Sequence, residues 1–504
     1  MSARERSLSL WIDTAPGTER APLRRDGAAE VAVVGAGIVG LTTALLAARR
    51  GARVTVLEAG RIGGGVTGHT TAKVSALHGT AYAEIDRRHG AEAARGYAQG
   101  NVGAIELIAR LIEEESIACD WRRRSAYTYA SAVEARERIE QEARAARRAG
   151  LPVRLVEETP LPWPVAAAVR LDEQAELHPR RYLHGLAAAL ERQGGTIHER
   201  TPATGMSLLG RPLLQAPGGT LAADRVVIAT HFPFLDRGLF FPRLTAQRSY
   251  LIAARAPGAL PAGMFISAEE PTRSIRTHPV EGEERLLVGG EGHVTGAEPD
   301  TEACYRRLEL FAREHFGIEE VTHRWSSQDL MPADGLPLVG RLSPLWADVW
   351  TATGFRKWGL TNGTLAAAII AERLDGREHP QAGLLSSTRL TARQSAPGLA
   401  KESGKDAWHA VADWVALLPG GSPEDVARGE GRVMRVGRRP LAVHRDEAGE
   451  LHAVSAVCTH LRCRVAWNAA ERSWDCPCHG SRYDVDGTVL QGPAVRPLAD
   501  HTER

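Results

Sequence analysis

Two short runs near the C-terminus hold the side chains with the most chemistry, CTHLRC at 458–463 and CPCHGS at 476–481. Four of the chain's six cysteines fall in them, and each run pairs a cysteine with a histidine: Cys458-x-His460 and, after 15 intervening residues, Cys476-x-x-His479. A structural zinc finger usually draws a cysteine pair from one loop and a histidine or cysteine pair from another. One cysteine and one histidine per loop instead suits an asymmetric two-iron cluster, with both thiolates on one iron and both imidazoles on the other. Cys463 and Cys478 are left over, each a few residues from a ligand and free to cross-link the loops. A site made of disulfides alone leaves both histidines unexplained.

A second chemical signature opens the chain, in EVAVVGAGIVGLTTALLAARRGARVTVLEAG at residues 30–60. Glu30–Val34 is an apolar run suited to a strand covered on both faces, Ile38–Arg50 is helical with Gly51 as C-cap, and Arg53–Leu57 is a second strand ending on Glu58. Between the first strand and the helix stand Gly35-Ala36-Gly37-Ile38 and then Gly40, the G-x-G-x-x-G spacing of a dinucleotide site. Gly35 makes the tight turn, Gly37 lets backbone approach a pyrophosphate, and Gly40 permits close helix–strand packing. The helix N-terminus faces the phosphates, and Glu58 is placed to accept from a ribose hydroxyl, which disfavours a 2′-phosphate and hence NADP. The glycines alone do not separate FAD from NAD.

Other segments do. GGGVTGHTTAKVSALHG after Glu58, RVVIATHFPF at 225–234, MPADGLPLVGRLSP and ATGFRKWGLTNGTLAA are spread over roughly residues 30–375 and resemble the flavoprotein oxidoreductase family of D-amino-acid, sarcosine and glycine oxidases. The resemblance implies FAD as cofactor. It places Gly354, Phe355, Gly359, Leu360 and Thr361 along the ribityl chain and pyrimidine ring, Thr230 at the strand returning to the nucleotide, and Gly68, His69, Thr70, Thr71 and Lys73 in the loop beside the isoalloxazine. Lys73 there would stabilise negative charge on the reduced flavin. Lys357 and Trp358 stand where the family commonly has small residues or histidine, so the surroundings of the ring are expected to differ from a typical oxidase. His69, Lys73, Lys357 and Trp358 are the candidate catalytic residues. Some relatives link flavin through a histidine, but no motif demands this of His69. No substrate-carboxylate clamp is identifiable: Arg248 and Tyr250 lie in a strand of the substrate domain, as do Arg273 and Arg276, and arginines on antiparallel strands read as a solvated face.

The cysteine runs closely resemble the Rieske [2Fe–2S] signature C-x-H-L-x-C and C-P-C-H-G-S over about residues 425–500, including a third loop, GPAVRPL at 492–498. By that resemblance Cys458, His460, Cys476 and His479 are the ligands and Cys463–Cys478 the bridge. Ser481 and Tyr483 hydrogen-bond the cluster, which raises its potential toward the upper part of the range of about −150 to +300 mV. Arg462 replaces the family's glycine, so backbone conformation or partner docking is expected to change there. A disulfide is unusual in cytosol, and the oxidation state of this pair is left open.

The elements that must position these residues fall into α/β and all-β parts. Residues 1–29 read as an N-terminal extension and 30–385 as an FAD-binding Rossmann-like domain, with nucleotide-binding parts at about 30–80, 195–235 and 330–375 and a mixed-sheet substrate domain inserted between. Polar residues 386–405 read as a linker and 406–504 as a small all-β Rieske domain. Residues 81–149 read as helical, and 177–195 as a helix. Strands are expected at Arg225–Thr230, Arg248–Ala254, Met264–Ser267, Ser274–Thr277, Arg285–Gly289 and Val349–Thr353. Sixty-two basic against 61 acidic residues leave a net charge of +1, which gives no support for a nucleic-acid partner. No apolar stretch approaches the length of a membrane span. Arg24–Arg25 before an apolar run mimics a twin-arginine signal, but the glycine spacing fits a nucleotide-binding strand better, and a cytoplasmic protein is expected.

A two-electron flavin beside a one-electron cluster implies a dehydrogenase. A small amine, amino acid or related donor reduces FAD, and single electrons leave through the cluster to an external acceptor, a protein or quinone-like molecule. The alternatives are reverse flow from a reductase into the flavin, and a non-catalytic redox sensor or electron carrier. A Rieske oxygenase would need a mononuclear iron site, and His178 and His184 lack its spacing.

Overall fold

The nearly all-apolar strand Gly27–Val34 runs at the centre of a parallel sheet, between Gly219–Ile228 and Val54–Leu57. Side chains alternate across a strand. Val31 and Val33 therefore pack on one face with Leu41 and Leu45 of helix Ile38–Ala48. Ala32 and Val34 pack on the other with Val226 and Ile228. The main path is Leu338–Arg341, Val349–Thr353, Gly219–Ile228, Gly27–Val34, Val54–Leu57, Thr196–His198, with the first of these antiparallel to its neighbour. Leu213–Ala216 branches antiparallel from Gly219–Ile228 and pairs antiparallel in turn with Gly205–Ser207. Gly40 is required by close approach: a Cβ there would stand 1.8 Å from the Gly35 carbonyl oxygen. The computed structural model describes residues 8–207, 210–235, 238–389 and 418–502.

A second, mixed sheet covers the cavity-forming end of the first. Its order is Glu320–Pro332, Leu244–Arg255, Glu283–Val294, Arg273–Val280, Met264–Ser267, Arg122–Ala130, Ala167–Glu176, Lys73–Val74. The region 81–149 was expected to be helical; it holds helices Ala81–His89, Ala91–Glu114 and Arg136–Arg148, but Arg122–Ala130 is a strand. Its arginine-rich start looks helical in isolation. Arg122 and Arg124 instead pair with the buried Glu176 of the neighbouring strand, and the following SAYTYA is rich in residues that suit a pleated surface. Helix Pro179–Arg192 lies where 177–195 reads as helix, with His178 as its N-cap.

The C-terminal domain consists of two small antiparallel sheets. Gly431–Val436, Arg439–Arg445 and Leu451–Ser455 form one, and Ala466–Asn468, Ser473–Asp475, Arg482–Tyr483 and Val489–Gln491 the other. Cys458–Cys463 lies in the connection between the sheets, and Cys476–Ser481 in the turn between Ser473–Asp475 and Arg482–Tyr483.

Both boundaries of the large domain extend beyond the residues that read as domain. Ser387 donates its backbone N–H to Val339 O, and Arg389 pairs with Asp334 at 2.7 Å, so the packed chain continues to Arg389. The rest of the stretch read as linker, 390–405, lies outside the described residues. At the other end, Trp11 is fully buried and donates its indole N–H to Thr70 O at 2.7 Å, while Ser9 Oγ donates to Gly68 O at 2.6 Å. The segment read as an extension therefore braces the loop expected beside the flavin ring. Among the described residues no helix is long and apolar enough to cross a membrane. Trp11→Ala is expected to cost about 3–5 kcal/mol as a buried aromatic truncation. The measurements are thermal unfolding and retention of bound FAD on gel filtration, both of which should fall.

Candidate functional site

A cavity of about 920 Å³ opens where the two sheets of the large domain meet. Of the residues singled out from the sequence, Gly35, Ala36, Gly37, Ile38, Glu58, Thr70, Thr71 and Thr230 line it, as do Phe355, Gly359 and Leu360. Gly40, Gly68, Gly354 and Thr361 do not. Gly40 and Gly68 sit behind the wall against Gly35 and Gly63, and Gly354 faces Leu244 and Pro332. The Thr361 hydroxyl donates to Ser75 O and meets His78. Two residues missed from the sequence shape the same wall. Thr67 Oγ1 accepts the Ile38 N–H at 3.3 Å at the helix N-terminus, and Ser249 joins the cavity from the second sheet. Thr67 stood within a loop already singled out, whereas Ser249 carried no local signal.

The cavity suits a dinucleotide. Gly37 forms the helix N-cap with no capping side chain, so amides and dipole face the opening. No atom lies within 4 Å of where a Cβ at Gly65 or Gly359 would stand, although both line the cavity. Glu58 accepts from the backbone N–H of Ala36 at 2.7 Å and Gly60 at 2.8 Å, and burial holds its carboxyl above the ordinary range.

All four candidate catalytic side chains also line this cavity. Lys73 Nζ donates to Phe265 O and Ser274 Oγ, each at 2.6 Å. Burial, aided by Arg276 and opposed by Glu176, brings this ammonium down to about 7. Lys357 Nζ donates to Ser249 Oγ at 2.8 Å, and burial lowers it against the pull of Asp329 and Glu270. Asp329 is raised to about 6 by burial, with Lys357 opposing. His69 Nδ1 meets Gly65 O at 2.9 Å, and burial favours its neutral form. Trp358 stacks on His78 at 4.6 Å between centroids.

The two cysteine runs come together at one end of the C-terminal domain. Cys463 and Cys478 form a disulfide with Cα atoms 6.5 Å apart, which ties the loops. Cys458 and Cys476 are buried and unbridged, and the rings of His460 and His479 are 5.1 Å apart. His479 Nδ1 is buried with no hydrogen-bond partner, which a bound metal would satisfy. The Tyr483 hydroxyl lies 3.1 Å from Cys458 Sγ and accepts the Thr459 N–H. Ser481 Oγ accepts the Ala494 N–H at 3.1 Å, and Thr459 Oγ1 donates to Arg496 O, so the third loop is pinned to both runs. Two thiols, two imidazoles and an orphaned ring nitrogen fit a cluster with two unlike irons.

Comparison with known proteins agrees with this geometry. The family profile described as FAD dependent oxidoreductase matches residues 30–373, and the Rieske [2Fe-2S] domain profile matches 416–502. The chain belongs to the FAD-dependent oxidoreductases and carries a Rieske domain. It is 34% identical over 498 residues to the Bacillus subtilis Rieske 2Fe-2S iron-sulfur protein YhfW, covering 98% of each chain. Its fold is shared with glycine oxidase from Geobacillus kaustophilus (TM-score 0.61, 20% identity, 73% of this chain and 100% of the other). It is likewise shared with L-proline dehydrogenase from P. horikoshii (TM-score 0.60, 18% identity, 72% and 98%). FAD and a [2Fe–2S] cluster are therefore its cofactors, and it is an oxidoreductase with an iron–sulfur electron carrier.

The Rieske domain docks on the FAD domain through the second sheet. Arg248 was expected on a solvated face, but it is 1% exposed and its Nε lies 3.6 Å from Asp475 Oδ2 of the Rieske domain. Burial pushes the Asp475 carboxyl up, yet Arg482 and Arg248 override this and hold it at about 2. Arg276 and Arg273 are likewise taken, by Glu176 at 3.3 Å and Glu291 at 2.7 Å. Tyr305 donates to Glu471 Oε1 at 2.8 Å, and Gln328 Nε2 donates to Gly480 O at 2.9 Å. Gly480 adopts φ +77°, a conformation that favours glycine, and a Cβ there would meet the end of the Gln328 side chain. Thr488–Gly492 and Ala494, Val495 and Pro497 of the Rieske domain help line the cavity.

Arg462, the departure from the family pattern, adopts φ +62° and is exposed, with its N–H donating to Cys458 O at 3.1 Å. The arginine thus occupies a backbone conformation that glycine takes freely, and what changes is the exposed side chain. Arg462→Gly is expected to stabilise the domain by up to about 1 kcal/mol, the relief of left-handed strain less the added freedom of the unfolded chain. The check is the temperature at which the visible cluster absorbance is lost, which should rise with an unchanged EPR spectrum.

Proposed function

We propose that this protein is a dehydrogenase. It oxidises a small amine, amino acid or related donor in the FAD cavity and releases the electrons one at a time, through the Rieske domain, to an external acceptor. The observation that carries this reading is the docking of the histidine-bearing loops against a wall of that cavity, with Phe232 both lining the cavity and packing against His460 and His479. When bound, FAD supplies two-electron chemistry and exchange of single electrons, and the cluster supplies one-electron carriage.

Within this reading the glycine turn and helix N-terminus at Gly37 hold the pyrophosphate, and Glu58 addresses the ribose. Cys458 and Cys476 hold one iron, His460 and His479 the other, and Ser481 and Tyr483 stabilise the reduced cluster by hydrogen bonding. Lys357 and Asp329, both on the cavity wall, offer opposite charges to a donor that carries an acid and an amine. Lys73 is buried and fixed by two acceptors, so its ammonium is preorganised to favour negative charge in the cavity.

Anaerobic titration with a panel of amines and amino acids, followed by flavin absorbance and cluster EPR together, tests the function. Flavin bleaching followed by cluster reduction is expected, with the cluster potential in the upper part of the Rieske range. Cluster reduction only on adding a reductase reverses the direction of flow, and failure of every donor and reductase leaves the carrier alternative.

Lys73 gives a pH dependence of defined sign. Its ammonium is present below pH about 7 and lost above it. The flavin potential should therefore fall more steeply with rising pH as it passes through that region. Spectroelectrochemical titration is expected to show this extra inflection in the parent protein and not in Lys73→Met. An inflection that survives the substitution rejects the role given to Lys73.

A further inference from the structure

Among the described residues, Phe232 alone of the aromatic side chains in ring contact with His460 or His479 also lines the cavity. It is 2% exposed and lines the FAD cavity, and its ring centroid lies 5.8 Å from that of His479 and 6.2 Å from that of His460. Phe241 lies as close to His479, at 5.9 Å, but is not part of the cavity wall. The segment carrying Phe232 is held in place. Thr230 Oγ1 donates to Phe232 O at 2.8 Å, Thr353 Oγ1 donates to His231 O, and His231 adopts φ +66°. The Phe232 ring thus stands at the cavity wall and against both imidazoles, and the docked face is closed by Gln328 on Gly480 and Arg248 on Asp475.

We infer that single electrons cross between the FAD cavity and the cluster-bearing loops at Phe232, and that the docked pose is the transferring state. This rests on the proposed function only in requiring exchange between the two centres, and it holds for either direction of flow. In each crossing one centre loses an electron and the other gains it, with no bond made or broken. Tunnelling rates fall steeply with the unfilled gap between centres, so a ring packed against both sides favours this position over longer paths. The rival path runs through the third loop, where Ala494 lines the cavity and its N–H bonds to Ser481.

The test uses the full-length protein loaded with both cofactors. A photochemical pulse from an external dye reduces it without any donor, and redistribution of the electron is followed at the separate absorbance bands of the two centres. Phe232→Leu is expected to slow redistribution severalfold, while Phe232→Tyr and Phe241→Leu remain near the parent rate. Cluster EPR spectra and both reduction potentials should be unchanged throughout. Phe232→Met gives the same comparison where the leucine variant loses its cluster. An unslowed ring-deleted variant with intact EPR overturns the inference, as does equal slowing by Phe241→Leu, which would make the effect one of packing. Absence of redistribution in the parent protein defeats the proposed function itself, a result distinct from either of these.

Discussion

A guanidinium taken out of water must find a carboxylate or cost several kcal/mol, and Arg248 finds its carboxylate in the other domain. It stands in the middle of strand Leu244–Arg255, beneath the docked Rieske domain, with Ser326 as its second partner. Asp475 serves it while also accepting from Arg482 at 2.9 Å and from Asn468 at 2.9 Å. Neither surface is complete alone: separation would leave Arg248 and Asp475 without each other. Because breaking one side of such a pair costs more than the pair contributes over an apolar contact, the network acts chiefly to select one pose.

That pose has two consequences for the cavity. The third Rieske loop becomes part of its wall, so the cavity's volume is set by two domains. The histidine-bearing loops also face inward: His479 is 3% exposed, under Phe232 and Phe241. The exposed residues of the first run are Thr459, Leu461 and Arg462, and His460 between them is half-buried.

Chemistry that depends on residues close in sequence was legible before the fold was known. The Cys-x-His and Cys-x-x-His runs and the glycine turn each lie on one short connection between elements, where spacing constrains geometry. What depends on distant segments was not legible. Arg248, Arg273 and Arg276 look like an outward face of antiparallel strands until Asp475, Glu291 and Glu176 are folded onto them. Trp11 looked like part of a loose extension, because nothing near it in sequence shows that Thr70 will accept its indole N–H. Thr361 was placed at the cavity with its neighbour Leu360, but a helix turns about 100° per residue, which carries its hydroxyl to Ser75.

Carrying both centres on one chain makes their encounter intramolecular, and a tether alone would set its frequency by effective concentration. The buried contact goes further than a tether. Arg248, Gln328 and Tyr305 each commit a polar group to the Rieske domain, Gln328 to the carbonyl of Gly480. Such groups would be poorly placed on a surface that met its partner only transiently, since each exposure and reburial would repeat the desolvation of Arg248 and Asp475. The arrangement is instead that of a fixed interface, in which the same side chains that satisfy the buried charges also hold the cysteine–histidine loops against the cavity wall.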